Sequence, residues 1–175
     1  MSFDLYQKIF PLNKQTSDVI IIDVDEKSLG KFGQFPWNRS IFAKIVENVN
    51  ATNPKAIGFD IFFTEKDKQS PEEIISAYNL IPTDIAQLQN IKGPDEIFRE
   101  QLEKSKSVIA VLGSSVSSHG TYDRSAKAKF LSKGGDPKEF TYSFPYSIGS
   151  LEQLENSVKG LGSISFLDQT DGIIR

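Results

Sequence analysis

The chain has 175 residues, 38% of them hydrophobic and 25% charged, which suits one globular domain, or a domain with an insertion, and supplies enough apolar material for a core. A formal net charge of −3 argues against nonspecific nucleic-acid binding, and the absence of cysteine excludes disulfides, thiolate nucleophiles and cysteine-ligated zinc. No apolar run approaches the roughly 18–20 residues needed to cross a bilayer, and Met1-Ser2-Phe3-Asp4 lacks the basic and apolar regions of a signal peptide. These features describe a water-soluble module, and they fit an extracytoplasmic setting and a cytosolic one equally.

In chain order, Phe3–Phe10 has the spacing of a short amphipathic helix, stopped by Pro11. Val19–Ile22 is a continuous β-branched run, the pattern of a strand covered on both faces. Residues 26–37 read as a loop punctuated by Gly30, Gly33 and Pro36. Asn38 is an N-cap for a helix over 39–50, whose Ile41, Phe42, Ile45, Val46 and Val49 form one stripe ended by Asn53-Pro54. Ala56–Phe63 reads as a second strand, expected to run parallel to the first through a right-handed crossover. Residues 66–92 read as a polar insertion with a helical piece at Pro71–Tyr78 and a break at Pro82. A helix over 95–104 follows Gly93-Pro94, and Val108–Leu112 is a third buried strand. Residues 113–147 read as a long Gly-, Ser- and Lys-rich loop, Leu151–Val158 as a short helix, and the end of the chain as a strand, an Asp171-Gly172 turn and a return strand. The expected fold is an α/β sandwich in which a mostly parallel central sheet with a βαβαβ core is flanked by helices and ends in a β-hairpin.

The acids at the strand ends carry the candidate chemistry. Asp23 and Asp25 share one face of a strand end, and Asp60 stands near the end of the neighbouring strand. Three carboxylates in one crevice suit a hard cation. The plainer reading, acids hydrogen-bonded to loop amides and to Arg39, outweighs it. An apolar strand followed by Asp23-x-Asp25 also has the shape of the first motif of haloacid-dehalogenase-like phosphatases, with Asp23 as nucleophile and Asp25 as general acid. The later motifs of that chemistry are missing. Trp37 either walls a pocket beside Asp23 or plugs the loop against the core, with the plug slightly favoured. His119 reads as a solvated loop residue, and Gly113-Ser114-Ser115 as a turn rather than an anion nest. Arg124, Lys127, Lys129, Lys133 and Lys138 read by default as a solvated basic loop.

Taken together, "VIIIDVDEKSLGKFGQFPWNRSIFAKIVENV", "PKAIGFDIFFTEKD" and "GLGSISFLDQTDGIIR" resemble the CHASE2 domain, the extracytoplasmic sensor module of bacterial membrane signalling proteins. The landmarks that carry the resemblance fall in order on Asp23, Asp25, Ser28 and Leu29; on Gly33, Pro36, Trp37 and Arg39; on Phe59, Asp60 and Phe63; and on Gly162, Asp171, Gly172 and Arg175. The opening "FDLYQKIFPL" resembles the helix that leads in from an N-terminal membrane anchor. The resemblance implies a single sensor domain over 1–175, C-terminally truncated at Arg175, with no catalytic residue, metal or cofactor of its own. It implies a cytoplasmic output such as a histidine kinase, a nucleotide or diguanylate cyclase or a Ser/Thr kinase, together with membrane anchoring of the whole protein and action as a homodimer. The expected input is a small-molecule ligand or another periplasmic signal, met at a rim of Asp23, Asp25, Trp37, Arg39 and Asp60. Specificity is expected in the insertion 66–92 and the loop 113–147. The other function class is a pure dimerisation or interaction module, which would show no pocket.

Overall fold

Two units make up the computed structural model, Met1–Pro36 and Trp37–Arg175, and the structure describes residues 9–10, 18–117, 127, 133–136, 139 and 141–165. The expected Phe3–Phe10 helix lies outside the described residues apart from Ile9 and Phe10, and the Asp171-Gly172 turn with its return strand lies outside them too.

In the first unit, two expectations are corrected. Val19–Ile22 forms no strand, and its side chains are exposed, Ile20 and Ile21 by 88% and 85%. An apolar β-branched run fits a pleated surface, but strand formation also requires a partner edge. Residues 26–32, read as loop, are a helix, α1 (Glu26–Phe32). Its start is a side-chain cap: the Asp25 carboxylate accepts from the Ser28 backbone N–H at 2.8 Å and from the Ser28 hydroxyl at 2.7 Å. Its end is Gly33, whose φ of +86° suits a residue without Cβ and whose N–H donates to the Leu29 carbonyl at 2.9 Å.

The second unit begins with α2 (Arg39–Asn50). As its sequence predicts, the Asn38 side chain caps it, accepting from the Ser40 N–H at 2.7 Å. Beyond its end Asn53 takes a positive φ of 54° just before Pro54. The strand β1 (Ile57–Phe59) follows and is shorter than the expected 56–63. The insertion holds two helices, α3 (Pro71–Ala77) and α4 (Pro82–Gln89). Pro82 therefore starts a helix, because the first helical position needs no N–H and favours proline's fixed φ. Pro94 plays the same part in α5 (Pro94–Lys104), which leads to β2 (Ser107–Ser114). The loop expected over 113–147 ends in an unforeseen strand, β3 (Tyr146–Ile148), before α6 (Glu152–Ser157) and β4 (Gly160–Ser163).

Among the described residues the sheet has four strands. β1 and β4 both run parallel to β2, through Gly58↔Val108 and Ala110↔Gly162, while β3 is antiparallel to its far end through Gly113↔Ser147. The architecture is the expected helix-flanked, mostly parallel α/β sheet, but its βαβαβ run is β1–α5–β2–α6–β4, one unit further along the chain than the sequence pattern suggested. One face of the sheet packs on α2 and α5 through an aromatic cluster. Phe98 lies 5.0 Å from Phe63 and 5.8 Å from Phe59 between ring centroids, and Phe42 lies 5.2 Å from Phe63. Val46, Leu102, Ile109 and Leu154, all fully buried, complete this core, and Phe59 is partly exposed at its edge. Past β1 the chain is tied to the start of α6: the Ser150 hydroxyl accepts from the Phe63 N–H at 3.1 Å, and the Phe63 carbonyl accepts from the Leu151 N–H at 2.8 Å.

Candidate functional site

The start of α2 sits over the most polar part of the core. Arg39, Asp67 and Asp95 are all buried there. Arg39 Nε lies 3.6 Å from Asp95 Oδ1, and the guanidinium stacks 4.7 Å from the Phe63 ring centroid. Its Nη2 donates to the Glu65 carbonyl at 3.1 Å, and its backbone N–H donates to Asp67 Oδ2 at 2.6 Å. The two acids are also coupled to each other, because the Asp67 N–H and the Ser70 hydroxyl both donate to Asp95 Oδ2, at 2.8 and 3.2 Å. One cation and two carboxylates thus hold together the starts of α2 and α5 and the segment 65–70. Burial pulls the Arg39 pKa down, opposed by the charges of Asp95 and then Asp67. Arg39 Nε and Asp95 Oδ1 are buried without a hydrogen bond among the described residues. Their attraction is therefore Coulombic.

The expected rim residues fall in different places. Arg39 is buried in an ion pair, as the macrodipole argument required, but its partner is Asp95, not an acid of the Asp23, Asp25 and Asp60 group. Trp37 is 6% exposed and packs 6.4 Å from the Phe42 ring centroid. Asp60 is exposed and lines a shallow hollow of about 320 Å³ with Gly58, Val108, Ala110 and Gly162, the small-residue row of the sheet. In the first unit Asp23 is exposed, and Asp25 spends its carboxylate on the cap of α1. The Ser28 hydrogen bonds, side chain then backbone, hold Asp25 below the usual carboxylate range. A general acid needs the opposite shift, so the phosphatase assignment of Asp25 does not fit its surroundings. Among the described residues no group of three or more acids or histidines gathers at metal-binding distance, and no helix is long and apolar enough to cross a membrane.

Sequence reasoning missed Asp67 and Asp95. Asp67 closes the "FDIFFTEKD" landmark run, and Asp95 directly follows the Gly93-Pro94 helix start, so position was their only signal. It also missed a groove of about 400 Å³ built largely by the insertion, between the N-terminal ends of α2 and α5 and the pair α3 and α4. Lys127, read as a solvated loop residue, donates to the Glu155 and Val158 carbonyls at the end of α6. The Gly113 N–H, considered for an anion nest, donates to the Ser165 hydroxyl at 2.6 Å. His119 lies outside the described residues.

A protein-family model described as the CHASE2 domain matches residues 1–175, the whole chain. Among curated proteins and among solved structures, none matches it.

Proposed function

The chain belongs to the CHASE2 family of extracytoplasmic sensory domains, and from that premise we propose that it is the ligand- or signal-sensing input module of a bacterial transmembrane signalling receptor. Catalysis in such a receptor belongs to a cytoplasmic output domain, a histidine kinase, a nucleotide or diguanylate cyclase or a Ser/Thr kinase. The module stands on the periplasmic or extracellular side, anchored through membrane helices of the full-length protein and acting as a homodimer. The observation that carries the reading is the family match over all 175 residues. The landmark residues add a physical account of what such a module needs. Asp25, Ser28 and Gly33 delimit a helix, while Trp37, Arg39, Phe59 and Phe63 bind the start of α2 to the core. These are structural duties, as suits a domain that transmits a change of state and makes no bond.

The topology is directly testable in a full-length receptor from which any cysteine outside this chain has been removed, since these 175 residues contain none. Lys44→Cys places a single thiol on the exposed face of α2, where the lysine side chain is 65% exposed. In cells carrying the full-length receptor, a membrane-impermeant maleimide should label this thiol without disruption of the cytoplasmic membrane. Labelling that appears only after lysis of that membrane would overturn the proposal.

A further inference from the structure

We propose that the groove between α2, the α3–α4 pair and α5 is a binding site for a small uncharged molecule with an apolar body and a hydrogen-bond-accepting group. Its floor and walls are Ile41, Ile74, Leu88, Ile91 and Ile97, with Pro71 and Pro94 at the helix starts. The volume of about 400 Å³ falls in the usual range for a small-molecule site, which is about 300–1,000 Å³. Ile41, Ile74, Leu88 and Ile97 remain partly exposed and Ile91 is 59% exposed, so an apolar occupant gains by removing this surface from water.

The polar groups select the chemistry. Asn38, Ser40 and Gln69 also line the groove. The Asn38 amide N–H donates to Gln69 Oε1 at 2.8 Å, and the Asn38 oxygen is taken by the Ser40 N–H. Among the described residues the Gln69 side-chain NH₂ and the Ser40 hydroxyl make no hydrogen bond, so this end offers donors. Behind it lies Asp67, whose Oδ1 accepts from the Gln69 N–H at 2.8 Å, and then Arg39 and Asp95, a buried group with one positive and two negative charges. An anionic ligand would face that net negative charge. The one cation of the lining, Lys92, is already paired with Glu100 at 2.6 Å, so it offers an anion little. A cationic ligand would be drawn by that charge but finds no carboxylate among the described lining residues to pair with. The remaining match is a neutral apolar molecule with a carbonyl-type oxygen. An occupant there touches the Asn38–Gln69 contact that lies directly on the buried charge group, which gives the site a route to the start of α2.

The inference rests on the input-module reading only for its biological meaning, and the test is independent of it. On the 175-residue chain with labelled isoleucine methyls, benzamide serves as a neutral probe and benzoate as its anionic counterpart. Saturable shifts are expected for Ile41, Ile74, Ile91 and Ile97, with Ile57 and Ile109 of the sheet unmoved. Benzoate should bind at least about fivefold more weakly. Ile74→Trp, which fills the groove, should abolish the shifts, and Leu88→Trp is the second variant should the first not fold. Shifts that are absent, spread over Ile57 and Ile109, or retained in the filled variant would overturn the site. Tighter binding of benzoate would overturn the ligand class. Shifts that depend on protein concentration without probe would assign the groove to a second copy of the chain and overturn the proposal. None of these results bears on the maleimide topology, and cytoplasmic exposure of the Lys44→Cys thiol would sink the receptor reading without touching the groove.

Discussion

Replacing Arg39 with methionine isolates the buried charge group. The substitution keeps most of the apolar length that stacks on Phe63 and removes the cation that Asp67 and Asp95 share. At 3.6 Å two unit charges attract by roughly 4–5 kcal/mol at an effective dielectric near 20. Against this stands the desolvation of the guanidinium, which is the largest influence on its pKa. Breaking a buried pair from one side costs about 3–5 kcal/mol. The low end applies here, because Nε and Oδ1 stand too far apart for a hydrogen bond while Asp95 Oδ2 keeps the Asp67 N–H and the Ser70 hydroxyl. Arg39→Met should therefore lose about 3 kcal/mol by urea unfolding at neutral pH, or roughly 6–12 °C in Tm. A double-variant cycle with Asp95 separates lost charge from lost packing. The Arg39→Met/Asp95→Asn double variant should recover more than about 1 kcal/mol relative to additivity. A deficit below about 1 kcal/mol, or a double variant whose losses are simply additive, would refute the reasoning.

Phe98, fully buried at the centre of the aromatic cluster, should cost about 3–5 kcal/mol as Phe98→Ala in the same denaturation assay. Gly113→Ala places a Cβ 2.3 Å from Phe144 Cδ2, so about 1–3 kcal/mol should be lost, and Phe144→Leu in the same chain should return part of it. Asp25→Ala should lower the amide protection of α1 in hydrogen exchange and leave that of α5 unchanged. Because the folded-state pKa of Asp25 is depressed below its ordinary 3.8, its contribution is complete above that value and should fade in NMR titration only as pH falls through the lower folded value.

Local signals read from the sequence were reliable where a single residue both demands and supplies the structure. Asn38 satisfies an orphan amide of the helix it precedes, and the stripe from Ile41 to Val49 has only one side to bury, so the bounds of α2 were legible. The same kind of signal was present at Asp25 and Ser28 but was read as rim chemistry, because two acids two residues apart also look like a strand end. Val19–Ile22 shows the reverse error, since hydrophobic patterning reports what a strand would bury and is silent about which edge receives it. The second parallel neighbour of β2 is instead β4, whose Gly160 and Gly162 let the chain lie close against the Val108 methyls, with an added Cβ meeting them at 3.4 Å. Arg39 marks the boundary of what one-dimensional reasoning reaches. A cation at a helix start announces that it needs an anion. Which anion is decided by the approach of α5 and of the segment ahead of α3, so Asp95, an ordinary first-turn acid in its own helix, gave no sign of its second duty. The groove was hidden for the same reason: its lining comes from α2, α3, α4, α5 and the turn after α4, and each isoleucine read alone is simply part of a helix stripe or of that turn. Only the convergence of these stripes above a buried negative charge gives the surface a ligand preference, and that convergence is set by the Asn38–Gln69–Asp67 contacts that fasten the insertion to α2.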